Sequence, residues 1–187
     1  MGRFRNLAAM PYAYLTTFYW GTFSPWLSEE SECVVVQGLV VREAESGLEV
    51  LLSVRSDVRG WELPGGQLEP GETSSVGLAR EIQEETALRV EVGRHVGDYV
   101  RTGFRPHTAR IYICRVLGGD LQSSSETLRI MWFPVSNIPE TLLPWYREPM
   151  ADGLANLHAP VERRERQGWS AIRAAVAIDL RMRWKGQ

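Results

Sequence analysis

The chain has little lysine, little cysteine and no long apolar run. Of its 21 basic residues only Lys185 is lysine. Arginine carries the remaining positive charge, which we read as genome composition, with phosphate recognition by arginine as the weaker alternative. The two cysteines, Cys33 and Cys114, lie in separate apolar runs, with no C-x-x-C pair and no histidine beside either. They read as reduced core thiols of a cytoplasmic protein. The net charge of −2 gives no sign of a nucleic-acid partner. No internal repeat or low-complexity linker is visible.

The segment Leu7 to Leu27 is rich in apolar and aromatic residues, but Pro11, Gly21 and Pro25 interrupt it. It lacks the uninterrupted span of about 20 apolar residues that a membrane helix needs. It also lacks the compact aliphatic core and small-residue cleavage site of a signal peptide. We expect an arm packed on its own domain, with a homodimer contact as the main rival and membrane attachment third.

At 187 residues the chain is long enough for one well-cored domain. Cys33–Val41 and Glu49–Val54 read as buried strands separated by a turn near Ser46–Gly47. Val90–Val100, Ala109–Val116 and Met131–Val135 are further strands. Apolar residues at Trp169, Ile172, Val176 and Leu180 recur at helical spacing, which predicts a helix over Val161–Trp184. Its polar side is basic, but arginines near a helix C-terminus need no nucleic acid to explain them. The reading is a single α/β domain, with a core at about 31–143, an N-terminal extension 1–30 and a helical extension 144–187.

The stretch Gly66–Leu88 is the most specific. Gly65, Gly66, Pro70 and Gly71 make a loop. A helix then follows, capped by Thr73, Ser74 or Ser75. Val76, Ala79, Ile82 and Thr86 are expected on its core face, with Glu81, Glu84 and Glu85 opposite. Like charges at these spacings each cost about 0.2–0.5 kcal/mol, and the acids sit in the half of the helix whose dipole favours cations. Arg80 can pair with Glu84 and offset part of this. Clustered carboxylates suit Mg²⁺ or Mn²⁺ shared with substrate phosphates.

Gly66, then Glu72, then Arg80-Glu81-Ile82-Gln83-Glu84-Glu85-Thr86-Ala87-Leu88 closely resembles the Nudix box, G-x5-E-x7-R-E-U-x-E-E-x-G-U. One defining position departs: Ala87 stands where the family usually has glycine. Trp61–Gly66 matches the usual lead-in. The resemblance implies an α/β/α sandwich with a mixed central sheet. It implies hydrolysis of the pyrophosphate bond of a nucleoside diphosphate linked to a second group X, with Mg²⁺ or Mn²⁺ as cofactor. By position, Glu81, Glu84, Glu85 and the Gly65 carbonyl are implied metal ligands, with one of the glutamates as base. Glu72 and Gly66 are implied supports of the cluster, and Arg80 orients the glutamates. Glu126 is a candidate extra ligand or base. Arg59, Phe104, Arg105 and His107 are candidates for substrate contact, the last three in a loop Arg101–His107. Trp145, Tyr146 and Arg147 compete between a nucleoside pocket and the core. A nucleotide-binding module that does not cleave is the rival reading.

Overall fold

A computed structural model of the chain describes residues 33–45, 47–55, 58–103, 106–124, 127–155 and 157–185, together with Leu15. The readings of the N-terminal arm, and of Phe104, Arg105 and Glu126, fall outside the described residues.

The β-branched run expected as the first strand forms β1, Val34–Ala44, whose centre is fully covered. It organises the sheet because both its edges are used. On one edge β6, His107–Gly118, runs parallel to it from Val34↔Thr108 to Val41↔Arg115. The other edge is shared. Its C-terminal end pairs with β2, Gly47–Arg55, and its N-terminal end pairs with the short β4, Gly65–Gln67. The strand β3, Trp61–Glu62, and the strand β7, Thr127–Pro134, join β2. On the far side β5, Arg89–Gly103, is antiparallel to β6, so the sheet is mixed, as expected.

Helices cover both faces. The box helix α1, Ser74–Thr86, lies over Val36, Val40, Leu51 and Cys114 through Leu78 and Ile82. The helices α2, Arg147–Leu154, and α3, Trp169–Lys185, cover the opposite face, where Met150, Ala175 and Met182 join Leu39, Leu52 and Ile111. This is the α/β/α sandwich. α1 fits close on the sheet at Gly38, where a Cβ would stand 2.7 Å from Ile82 Cδ1. Among the described residues no helix is long and apolar enough to cross a membrane.

Three expectations change. First, Val76 is 59% exposed, and the buried face of α1 is Gly77, Leu78, Ile82 and Thr86. At 3.6 residues per turn Val76 lies about 160° round from Leu78, so a helix that buries Leu78 must expose Val76. The same rotation brings Glu81 and Glu85 to the border of the core instead of opposite it. Second, Arg101–Gly103 is not loop: it continues β5, and His107 opens β6. Third, Val161–Gln167 is not helix but an eighth strand, β8, parallel to β5, and α3 begins only at Trp169. The inward positions of β8 are Val161, Arg163, Glu165 and Gln167, apolar only at the first, so no apolar alternation betrays it. Polar partners receive Arg163 and Glu165. Arg163 makes a two-pronged pair with Asp152 of α2 (Nε–Oδ2 2.8 Å, Nη2–Oδ1 2.7 Å).

Ala87 ends α1 with φ 60° and ψ 7°, the left-handed region, and donates its N–H to the Gln83 carbonyl. A Cβ there is strained and glycine is not. Ala87→Gly should therefore raise stability by about 0.5–1 kcal/mol, read from the denaturant midpoint. The Arg163 guanidinium, donating to Asp152, holds that carboxyl below its ordinary range, with the Tyr99 hydroxyl adding to the effect. A carboxyl depressed in the folded state stabilises at pH values above its unfolded pKa of about 3.9, and the effect is lost as the pH falls through the folded value. Asp152→Asn should cost about 1–3 kcal/mol at pH 7. The gap to wild type should narrow below about pH 4 in urea titrations.

Candidate active site

Arg80 is the hub of the acidic cluster. Its guanidinium meets Glu72 with both prongs (Nε–Oε1 3.0 Å, Nη2–Oε2 3.0 Å). Its Nη1 then bridges Glu81 Oε1 at 3.0 Å and Glu84 Oε2 at 3.1 Å. One cation thus ties three carboxylates that would otherwise repel each other. Glu72 also accepts the Glu69 N–H at 3.0 Å, closing the turn before α1. The hydrogen bond from Arg80, then that N–H, hold the Glu72 carboxyl below the usual range. The same bond to Glu72 raises the pKa of Arg80, so its charge is permanent.

The strand β4 supplies the other wall. Gly65 donates its N–H to Glu85 Oε2 at 3.1 Å. At Gly66 a Cβ would stand 2.4 Å from the Glu81 carboxylate, so only glycine leaves that carboxylate its place. Glu81 and Glu85 therefore face the backbone of Gly65–Gly66, while Glu84 turns toward Arg80 with its side chain 61% exposed. Among the described residues no three acidic, histidine or cysteine side chains converge as a metal-ligand group. The donors are nonetheless all oxygen, and the space at Gly66 is kept clear beside one of them. This donor set suits a hard divalent cation.

A cavity of about 540 Å³ opens from this strand, lined by Gly65, Gly66 and Gln67 at one end and by Pro106, His107 and Gln167 elsewhere. Cys33, just before β1, and Val35 and Gln37 of β1 line it, as do Glu62, Trp145 and Tyr146. His107, Trp145 and Tyr146 are thus where a ligand would meet them, whereas Arg147 is exposed and outside the wall. Arg59 does not line the cavity. Its main-chain N–H bonds Asp179 Oδ1 of α3 at 2.8 Å, and burial, with Arg183 nearby, lowers the pKa of its guanidinium. It serves the packing of α3 on the lead-in loop.

Sequence reasoning missed the wall residue Gln37 and the buried Arg101 that contacts the wall residues His107 and Trp145. Gln37 sits inside an apolar run, and nothing in its spacing sets it apart. Arg101, 1% exposed, donates to the Trp145 carbonyl at 2.9 Å and lies 3.2 Å from His107 Nε2. Its partner Glu165, at 3.5 Å, comes from the unforeseen β8. His95, which has no partner visible in the sequence, contacts Asp98 at 2.9 Å and stacks on Tyr112, a structural role.

The Gly66 contact is testable without any substrate. Gly66→Ala should displace the Glu81 carboxylate and weaken Mn²⁺ binding at least about tenfold by titration of the free ion, with the circular dichroism spectrum retained.

The comparisons follow this geometry. The family model described as NUDIX domain matches residues 34–153. A MutT-like protein of Streptomyces ambofaciens is 39% identical over 65% of this chain and 76% of its own length. A putative 8-oxo-dGTP diphosphatase of Bacillus subtilis is 30% identical over 58% of this chain and 72% of its own. The solved structure of an ADP-ribose pyrophosphatase from Streptococcus suis shares the fold, with TM-score 0.58 at 24% identity, over 72% of this chain and 100% of that one. With the family's domain model covering β1 to β7, α1 and nearly all of α2, the chain belongs to the Nudix hydrolase family.

Proposed function

We propose that the protein is a divalent-metal-dependent hydrolase that cleaves the pyrophosphate bond of nucleoside diphosphate-X compounds and releases a nucleoside monophosphate. One observation carries this reading. The carboxylates of Glu81 and Glu85 are set against Gly65–Gly66 at the wall of a cavity large enough for a nucleoside. Glu81, Glu84, Glu85 and the Gly65 carbonyl would hold Mg²⁺ or Mn²⁺, which when bound polarises a phosphoryl oxygen and lowers the pKa of a water. Glu72 and Arg80 keep the trio oriented. One of the three glutamates accepts the proton of the attacking water as its oxygen bonds to phosphorus. The anhydride P–O bond breaks, and its electron pair leaves with the departing phosphate. Trp145 and Tyr146 offer aromatic surface to the base, and His107 a polar contact. The names of the relatives favour nucleoside triphosphates or ADP-ribose-like compounds as substrates. A cytoplasmic setting is part of this proposal, in keeping with a chain of only two cysteines.

A second reading, a module that binds a nucleotide without cleaving it, is favoured by the outward turn of Glu84. One experiment separates the two. With Mg²⁺ or Mn²⁺, wild type should release a nucleoside monophosphate from at least one member of a panel of nucleoside triphosphates, ADP-ribose, sugar nucleotides and dinucleoside polyphosphates. Glu85→Gln should lower that rate at least about a hundredfold while the thermal melt stays near that of wild type. Tight nucleotide binding with no cleavage across the panel would decide for the module.

A further inference from the structure

Segments far apart in the chain meet at one buried cation behind the cavity wall. Arg101 stands in β5 with His107 of β6 opposite it on one side and Glu165 of β8 opposite it on the other. It lies two residues on from Tyr99, so it shares the strand face that packs into the core. It is 1% exposed and does not itself line the cavity. Its Nη2 donates to the Trp145 carbonyl at 2.9 Å, and its Nη1 lies 3.2 Å from His107 Nε2. The guanidinium carbon is 5.2 Å from the centre of the Tyr146 ring, within cation–π range. Glu165 Oε2, 3.5 Å from Nε, balances the charge without a hydrogen bond. His107, Trp145 and Tyr146 all line the cavity, and so does Gln167, two residues on from Glu165.

Stability alone does not account for a charge at this place. A buried ion pair can often be exchanged for apolar groups of similar volume with no loss of stability. The contact with His107 shows what the guanidinium adds. A guanidinium has N–H donors and no acceptor, so the histidine nitrogen it meets must present a lone pair. The ring proton of His107 then sits on Nδ1, and a doubly protonated ring is excluded while the contact holds. At the same time the donation to the Trp145 carbonyl pins the main chain of the turn that carries both aromatic wall residues.

We propose that Arg101 is a positioning residue for the ligand-facing wall: its planar fork holds the Trp145–Tyr146 turn against β6 and sets His107 as the Nδ1–H tautomer, so that a nucleotide meets a wall already in place. A preorganised wall lowers the cost of ordering side chains on binding. The acidic cluster is held separately, by Arg80 and by the pairing of β4 with β1, so its affinity for a cation can be separated from this wall. The inference rests on the nucleotide reading of the site and not on cleavage.

The test uses the full chain at about pH 8. Long-range ¹H–¹⁵N correlation spectra of wild type should show His107, assigned by its loss in His107→Gln, protonated on Nδ1. Calorimetry with dGTP and with ADP-ribose in EDTA, where no cleavage occurs, measures nucleotide binding. Arg101→Met should weaken binding of whichever of the two wild type takes by at least about tenfold, while Mn²⁺ affinity, titrated without EDTA, changes less than about twofold. Arg101→Lys supplies the charge but no planar fork and should not restore binding. Thermal melts monitor folding, and if Arg101→Met fails to fold, Arg101→Lys and the wild-type tautomer decide. A His107 proton on Nε2 in wild type, unchanged nucleotide affinity in folded Arg101→Met, equal losses of nucleotide and Mn²⁺ affinity, or full rescue by lysine overturns the inference and leaves the hydrolase reading standing. Binding of neither nucleotide by wild type overturns it together with the nucleotide reading. The expected tautomer and loss of affinity, with no hydrolysis of any nucleotide, would sink the hydrolase reading alone.

Discussion

The acidic cluster keeps its geometry because of one guanidinium. Glu72, Glu81 and Glu84 approach one another closely only because Arg80 lies between them, donating to all three. Around this ion cluster the rest of the site is assembled. Glu72 fixes the turn that starts α1, Glu81 is placed by the absence of a side chain at Gly66, and Glu85 is held by the Gly65 N–H. The arrangement is asymmetric. A single acid can be lost and Arg80 keeps partners, whereas loss of Arg80 leaves three like charges together. Because these groups are partly in water, the cluster contributes little net stability. Its value lies in geometry, carboxylates held ready for a cation that brings its own charge.

What was legible in the sequence follows from how each feature is encoded. The acids of α1 and the glycines of β4 are encoded by local spacing, so the box is legible in the sequence. Strands β1, β2, β6 and β7 are β-branched or aromatic runs and were found with ends off by a few residues. β8 was not, because its inward residues after Val161 are arginine, glutamate and glutamine, and Arg163 and Glu165 are matched to Asp152 and Arg101 from elsewhere in the chain. Arg101 looked like loop for the same reason, since a buried arginine makes sense only beside partners that sequence distance hides. The burial of α1 was misjudged by one position on the wheel, where Val76 and Leu78 compete and the sheet decides for leucine.

The cavity shows a division of labour between near and distant parts of the chain. One part of its wall is β4, whose Gly65 and Gly66 meet Glu85 and Glu81 of α1, close in sequence. Its ligand-facing wall draws on β1, β3, the turn at Trp145–Tyr146 and β8, which are far apart. Under the proposed function, a compact motif would carry the reaction, and residues that only the tertiary fold brings together would carry selection.

Gly38 touches no ligand and stands apart from both ends of the cavity, yet it sets a dimension of the chemistry. The missing methyl there lets Ile82 settle onto β1 and so fixes how deep α1 lies on the sheet. Glu81 and Glu85 ride on the same helix, while Gly65 and Gly66 are hydrogen-bonded to the same strand. The depth of the helix is therefore also the span between carboxylates and backbone across which a cation would be gripped. A methyl added at Gly38 would act as a shim under the helix, widening that span from the side of the core.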